Sequence, residues 1–257
     1  MAGVRNAYGA IETPAELRGT YAPAPRSSAG HVLGIICVAL DYPKLPGNVA
    51  NATTFAYPVL YREVRFPIEQ LFAGDPALRD MIVEAARDLE RQGVRAIIGA
   101  CGYFAHFQRD VAAAVGVPVF LSSLCQLPLV KMGIRPDESI AVIAADGNSI
   151  DDDLLAQVGT DTSRLIVQNV GDRESFAPIR WSCEPLDNGR LTDDLCDLTR
   201  ELTTAHPEIG AVVLECSDLP PYAAAIQKAC GRPVFDFITL ANWVAAAVVQ
   251  RTYTGWL

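Results

Sequence analysis

Two stretches of this chain are built alike, and the likeness limits the folds open to it. "VRAIIGACGYF" (Val94 to Phe104) and "IGAVVLECSDLPPY" (Ile209 to Tyr222) are apolar runs that end in a cysteine ahead of a helix-like segment. At a constant offset of 115 residues Ala96 meets Ala211, Cys101 meets Cys216, Gly116 meets Gly231, and Pro118–Phe120 meets Pro233–Phe235, "PVF" in both. The repeated unit reads helix, apolar strand, cysteine, helix, glycine, short strand. Two such units predict two similar α/β lobes related by an approximate two-fold axis.

The rest of the chain supports parallel sheets. β-Branched apolar runs suit strands buried on both faces, and they alternate with helical segments. Strands are expected at His31–Leu40, Tyr57–Val64, Arg95–Ala100, Val117–Ser123, Ser139–Asp146, Arg164–Val170, Ala211–Glu215 and Arg232–Phe237. Helices are expected over Asp75–Gln92, Phe104–Ala114, near Leu127, and over Asp151–Gln157, Thr192–Thr204, Tyr222–Ala229 and Leu240–Arg251. This order predicts doubly wound α/β lobes with mainly parallel sheets. We expect an N-terminal arm over residues 1–30, with one helical turn at "TPAELRG". Lobe 1 is then 31–131 plus 236–257 and carries Cys101; lobe 2 is 132–235 and carries Cys216. Ligands of open α/β sheets bind at the carboxyl ends of strands, which puts the active site in the cleft between the lobes.

Charge narrows the partners. With 21 Lys and Arg against 30 Asp and Glu, the formal net charge is −9, which disfavours nucleic acid. No apolar stretch is long enough to span a bilayer and the amino terminus lacks a secretory core, so no membrane partner and a cytoplasmic location are expected. Seven widely spaced cysteines fit a reducing compartment. Only three histidines are present, dispersed, with no C-x-x-C, Walker loop or dinucleotide fingerprint, so neither metal nor organic cofactor is expected. Asp151–Asp153 reads as helix capping rather than a cation site.

Cys101 and Cys216 each precede a helix start, where partial positive charge is expected to lower a thiol pKa towards neutrality. Two opposed thiols flanking one carbon fit proton abstraction next to a carboxylate, with backbone N–H groups holding the resulting charge. Candidate binding residues are Asn51, Thr53 and Thr54 in the loop after the first strand, Gly102 and Tyr103, Ser122 after "PVF", and Ser217 and Asp218. Ser123 is a similar candidate, and Tyr57, Tyr61 and Tyr103 are candidate aromatic walls. His106 lies on the helix after Cys101, where a partly exposed helix position is expected ahead of an approach to the cleft. Glu215 points away from the cleft if strand alternation holds. Cys37, Cys125, Cys183, Cys196 and Cys230 are read as structural.

These motifs, "ACGYFAHFQ", "PVFLSSL" and "ECSDLPPYAAAIQ", resemble the aspartate/glutamate racemase superfamily, whose members carry a catalytic cysteine in each of two α/β lobes. The resemblance runs from about His31 to the end of the chain. Its amino-acid racemases have Asp-Ser after the first strand, Asn-Thr before the first cysteine and Thr-His after the second. Here those places read "VALDYP", Gly99-Ala100 and Ser217-Asp218, which weighs against an α-amino acid substrate. The "CGY…FQ" and "CSDLPPY" pattern is more similar to the branch with the Alma-type dimethylsulfoniopropionate (DMSP) lyases. That resemblance implies a cofactor-independent enzyme that eliminates dimethyl sulfide from a small carboxylate. A racemase or epimerase using the two cysteines as an opposed acid/base pair is the alternative, and a two-lobed binding protein or a redox disulfide are further readings. A homo-oligomer is the usual expectation for a soluble enzyme.

Overall fold

The computed structural model describes Arg18 and residues 26–257; the remainder of the expected arm, with most of its helical turn, lies outside the described residues. Among the described residues eight strands form two four-stranded sheets. The first holds β1 (Leu33–Val38), β2 (Val59–Val64), β3 (Ala96–Gly99) and β4 (Val119–Phe120), in the order β2-β1-β3-β4. The second holds β5 (Ser139–Ala144), β6 (Leu165–Asn169), β7 (Ile209–Leu214) and β8 (Val234–Phe235), in the order β6-β5-β7-β8. Every strand pair is parallel.

The sequence repeat survives as register. Ile97 pairs with Val119 and Ile98 with Phe120 in the first sheet; Val212 pairs with Val234 and Val213 with Phe235 in the second, each partner 115 positions on. The chain is a two-lobed α/β fold built of two similarly wound halves.

Helices cover both faces of the first sheet because their apolar residues recur at helical spacing. In α2 (Arg79–Arg91) Ile82, Ala85, Ala86 and Leu89 are buried and share a core with Ile36, Val38 and Ile97. Against the opposite face α9 (Phe237–Val248) buries Phe237, Leu240, Ala241, Val244 and Val248 beside Leu33, Ile35, Ala96 and Ile98. The α2-side core runs without a break into the second sheet, taking in Tyr103, Phe104, Leu121, Ile140 and Val212.

The remaining helices are α1 (Ile68–Phe72), α3 (Gln108–Ala114), α4 (Leu127–Gly133), α5 (Asp152–Gln157), α6 (Ala177–Trp181), α7 (Asn188–Ala205) and α8 (Ala223–Cys230). Asp151 caps α5 by accepting the Leu154 N–H at 2.8 Å, the role expected of the acidic run. Some boundaries differ from expectation. Asp187 accepts the Arg190 N–H at 3.0 Å and starts α7 four residues early. Asp236 and Thr239 form a capping box that starts α9 at Phe237 rather than Leu240. The first half of the expected 104–114 helix is a 3-10 turn over Gly102–Phe107. Two five-residue helices, α1 and α6, were not expected from the sequence. No helix among the described residues is long and apolar enough to cross a membrane.

Candidate active site

Strands β3 and β7 run out at Gly99 and Leu214, and each cysteine comes two residues later. Cys101 has extended backbone and opens the 3-10 turn. The loops that follow are tied across the halves: the Ser217 hydroxyl donates to Ala100 O at 2.9 Å, and the Ser123 hydroxyl to Leu214 O at 2.8 Å. These ties bring both cysteines to one small cavity of about 40 Å³. Cys101, Cys216, Ser217 and Asp218 line it.

Asp218 is the polar hub of the site. It is buried, and its Oδ1 accepts from the Tyr42 hydroxyl at 2.6 Å and from the Asn48 side-chain amide. Its Oδ2 accepts from the Cys216 thiol at 3.4 Å. Burial raises the Asp218 carboxyl above its ordinary value, opposed by these hydrogen bonds and by Lys44, whose ammonium stands 3.2 Å over the Tyr42 ring.

Both thiols lie well above their ordinary pKa, which corrects the expected lowering. For Cys101 the cause is burial and then the Glu215 charge, with the Tyr103 N–H and Arg180 acting in the opposite sense. For Cys216 it is burial, then Asp218 and Glu215. The expected helix termini are weak: Cys101 starts a six-residue 3-10 turn, and the helical turn after Cys216 begins only at Pro220.

Glu215 is not turned away. It is fully buried and lines the cavity, and its Oε2 accepts the Ala145 N–H at 3.1 Å while Oε1 finds no partner among the described residues. Burial pushes its carboxyl up to about 8. Gly102 is where it is because of this side chain: a Cβ there would fall 1.9 Å from Glu215 Oε1.

The other expected residues are placed elsewhere. Asn51 caps its own loop, accepting the Thr53 N–H at 2.9 Å, and Thr54 bonds Asn48 O at 2.8 Å; Asn51, Thr53 and Thr54 do not line the cavity, and Asn48 is the loop residue that reaches Asp218. Ser122 accepts the Leu124 N–H at 3.1 Å as a turn cap. Tyr103 is buried, with its hydroxyl donating to Asp146 O at 2.6 Å, so it supports the site from behind. Tyr61 bonds Val49 O and Tyr57 bonds Asn242, both packed in the α9-side core. His106 lies against Gly74 rather than in the cavity. The aromatic walls are instead Tyr42, Phe72 and Phe176, with Arg180 beside them. The sequence reading missed Tyr42, Asn48, Phe72, Phe176 and Arg180; the "DYP" after the first strand was the available pointer to Tyr42. Burial also pushes the Cys37 and Cys125 thiols up to about 11.

No protein-family model matches the chain. It is 32% identical over 232 residues to dimethylsulfoniopropionate lyase of Durusdinium sp. clade D, covering 87% of this chain and 77% of that one. It is also 32% identical over 235 residues to dimethylsulfoniopropionate lyase 6 of Emiliania huxleyi, where it spans 87% of its own length but 61% of the relative's. Among solved structures, a liganded double mutant of arylmalonate decarboxylase superposes with a TM-score of 0.57 at 18% identity, over 86% of this chain and 93% of that one. Glutamate racemase from Francisella tularensis, in complex with D-glutamate, gives a TM-score of 0.52 at 18% identity, over 88% of this chain and 85% of that one. The structural likeness establishes the two-lobed fold of the aspartate/glutamate racemases, and the sequence identity carries the narrower assignment: this chain belongs to the dimethylsulfoniopropionate lyase family.

Proposed function

We propose that the chain is a cofactor-independent carbon–sulfur lyase that converts DMSP, or a closely similar small acid, into dimethyl sulfide and acrylate. The observation that carries this reading is the meeting of Cys101 and Cys216, from corresponding strand ends, in one cavity with Glu215 and Asp218. The lyase relatives named above support the substrate.

Elimination needs a base at Cα, a cradle for the carboxylate and a way out for the sulfur. In this reading Cys101 is the base, with the Tyr103 N–H and Arg180 opposing the burial and the Glu215 charge that raise its pKa, while the Cys216 thiol donates to Asp218. The thiolate takes the α-proton, the Cα–H electron pair becomes the double bond, and the Cβ–S bond breaks with its pair on sulfur. Dimethyl sulfide, acrylate and one proton result. A sulfonium cation bound among Glu215, Asp218 and Cys216 lowers the pKa of every acidic group around it, so arrival of substrate offsets the burial that raises the thiols.

The lobe boundaries 31–131 with 236–257, and 132–235, belong to this proposal, as does the arm over 1–30. The packing of α9 on the first sheet supports the return of the chain to lobe 1. The unpaired thiols of all seven cysteines accord with a cytoplasmic setting. A racemase or epimerase is the second reading, favoured by the matched positions of the two thiols on equivalent strands.

One assay separates the two. DMSP is incubated with the protein and headspace dimethyl sulfide is measured with acrylate; small chiral acids are then incubated in D₂O. The lyase reading expects equal amounts of dimethyl sulfide and acrylate without α-deuteration of the chiral acids. Deuteration with loss of optical rotation, and no sulfide, overturns it in favour of the racemase.

A further inference from the structure

Among the described residues Arg180 is the only basic side chain on the cavity wall, and no carboxylate lies within ion-pair distance of it. It is half-buried on α6 and held firmly. Its Nη1 donates to Ala145 O at 2.9 Å, and the guanidinium lies 4.6 Å from the Phe72 ring centroid and 5.0 Å from that of Trp181. Gly171 keeps this arrangement open: a Cβ there would fall 1.9 Å from Ala145 O and 3.2 Å from Arg180 Nη1.

A guanidinium has five N–H donors in a fixed planar fork. One hydrogen bond and two ring contacts fix the orientation of this one and leave donors over. A cation withdrawn from water without a counter-charge is costly, and the strongest partner for a fork of this shape is a bidentate carboxylate. Glu215 and Asp218 line the same cavity, but Asp218 is engaged by Tyr42, Asn48 and Cys216, and Glu215, whose Oε2 accepts the Ala145 N–H, makes no ion pair with Arg180.

We infer that Arg180 is the anchor for the substrate's carboxylate, so that the site selects small acids bearing their cationic or apolar end towards Asp218. The inference rests on the cavity being the substrate site, as proposed above, but not on which bond is broken. It also orients the reaction. A carboxylate held at Arg180 sets its α-carbon on the side of Cys101, the thiol on which the Arg180 charge acts.

Two readouts test it, one of them independent of turnover. The first is KM and kcat for dimethyl sulfide release from DMSP by the unaltered protein, Arg180→Gln and Arg180→Lys. The second is the concentration of propionate that halves the rate of Cys101 alkylation by iodoacetamide, read by mass spectrometry, with propionamide as the uncharged control. Arg180→Gln is expected to raise both KM and the protecting propionate concentration about ten- to a hundredfold, with kcat changing less. Arg180→Lys recovers part of the loss, and propionamide protects weakly in every form. If Arg180→Gln leaves KM and propionate protection unchanged, the inference is overturned while sulfide release keeps the lyase reading. If no sulfide is released but propionate protection depends on Arg180, the lyase reading falls and the anchor stands. Should Arg180→Gln fail to fold, equal protection of the unaltered protein by propionate and propionamide is the overturning result.

Discussion

Glu215 adjoins Cys216 in the chain, and its side chain reaches up beneath Gly102, next to Cys101. Its burial makes two tests possible. The carboxyl's ordinary value of 4.5 rises to about 8 in the folded chain, so between those values the folded chain holds a proton that the unfolded chain has lost. Stability is therefore full below the lower value and falls as pH rises towards the upper one. Melting temperatures measured from about pH 5 to about pH 8 should fall more steeply for the unaltered protein than for Glu215→Gln; parallel curves would contradict this. The second test concerns space. Gly102→Ala should destabilise the protein by about 1–3 kcal/mol in urea unfolding, because its methyl overlaps Glu215 Oε1. Glu215→Ala removes the obstructing atoms, so Gly102→Ala should cost less in that background, and simple additivity would argue against the contact. At this scale the sequence was readable for chemistry and less so for direction. Strand alternation turned Glu215 outwards on paper, but β7 ends at Leu214, and past a strand's end the two-residue period no longer governs. Likewise Asn51, Thr53 and Thr54 were plausible donors by type, yet a polar loop satisfies itself first, and their bonds stay within the loop.

Elements with several turns or a buried β-branched run were legible, and the shortest were not. A five-residue helix has too little length for its apolar spacing to stand out from a loop. Both α1 and α6 fell below that threshold, yet they bring Ile68, Phe72, Ile179 and Arg180 to the cavity. The walls of the site were thus hidden where its reactive groups were visible. Helix α9 offers a test confined to one element. Asp236 accepts the Ile238 N–H at 2.9 Å and the Thr239 N–H at 2.7 Å, while Thr239 accepts the Asp236 N–H at 2.8 Å. Asp236→Ala should cost about 1 kcal/mol, within a range of about 0.5–2, measured by urea unfolding. Because α9 packs on the sheet face away from the cavity, activity below the melting transition should be retained. A large loss of activity without a loss of stability would mean that α9 shapes the site directly.

For the molecule as a whole, the repeat at 115 residues was the most informative feature of the sequence. It gave the paired strands, their shared register and the equivalent places of two cysteines, because each half must bury the same kind of strand between the same kind of neighbours. What it left open was how the halves meet. That depends on hydrogen bonds between distant segments, such as Ser217 to Ala100 and Asn48 to Asp218, which carry no sequence period. The central claim is that both halves supply a thiol to one reaction. Its most direct test is the rate of dimethyl sulfide release by Cys101→Ala and by Cys216→Ala, each shown by circular dichroism to be folded. In both variants kcat is expected to fall about a hundred- to ten-thousandfold. Full activity in either would contradict it.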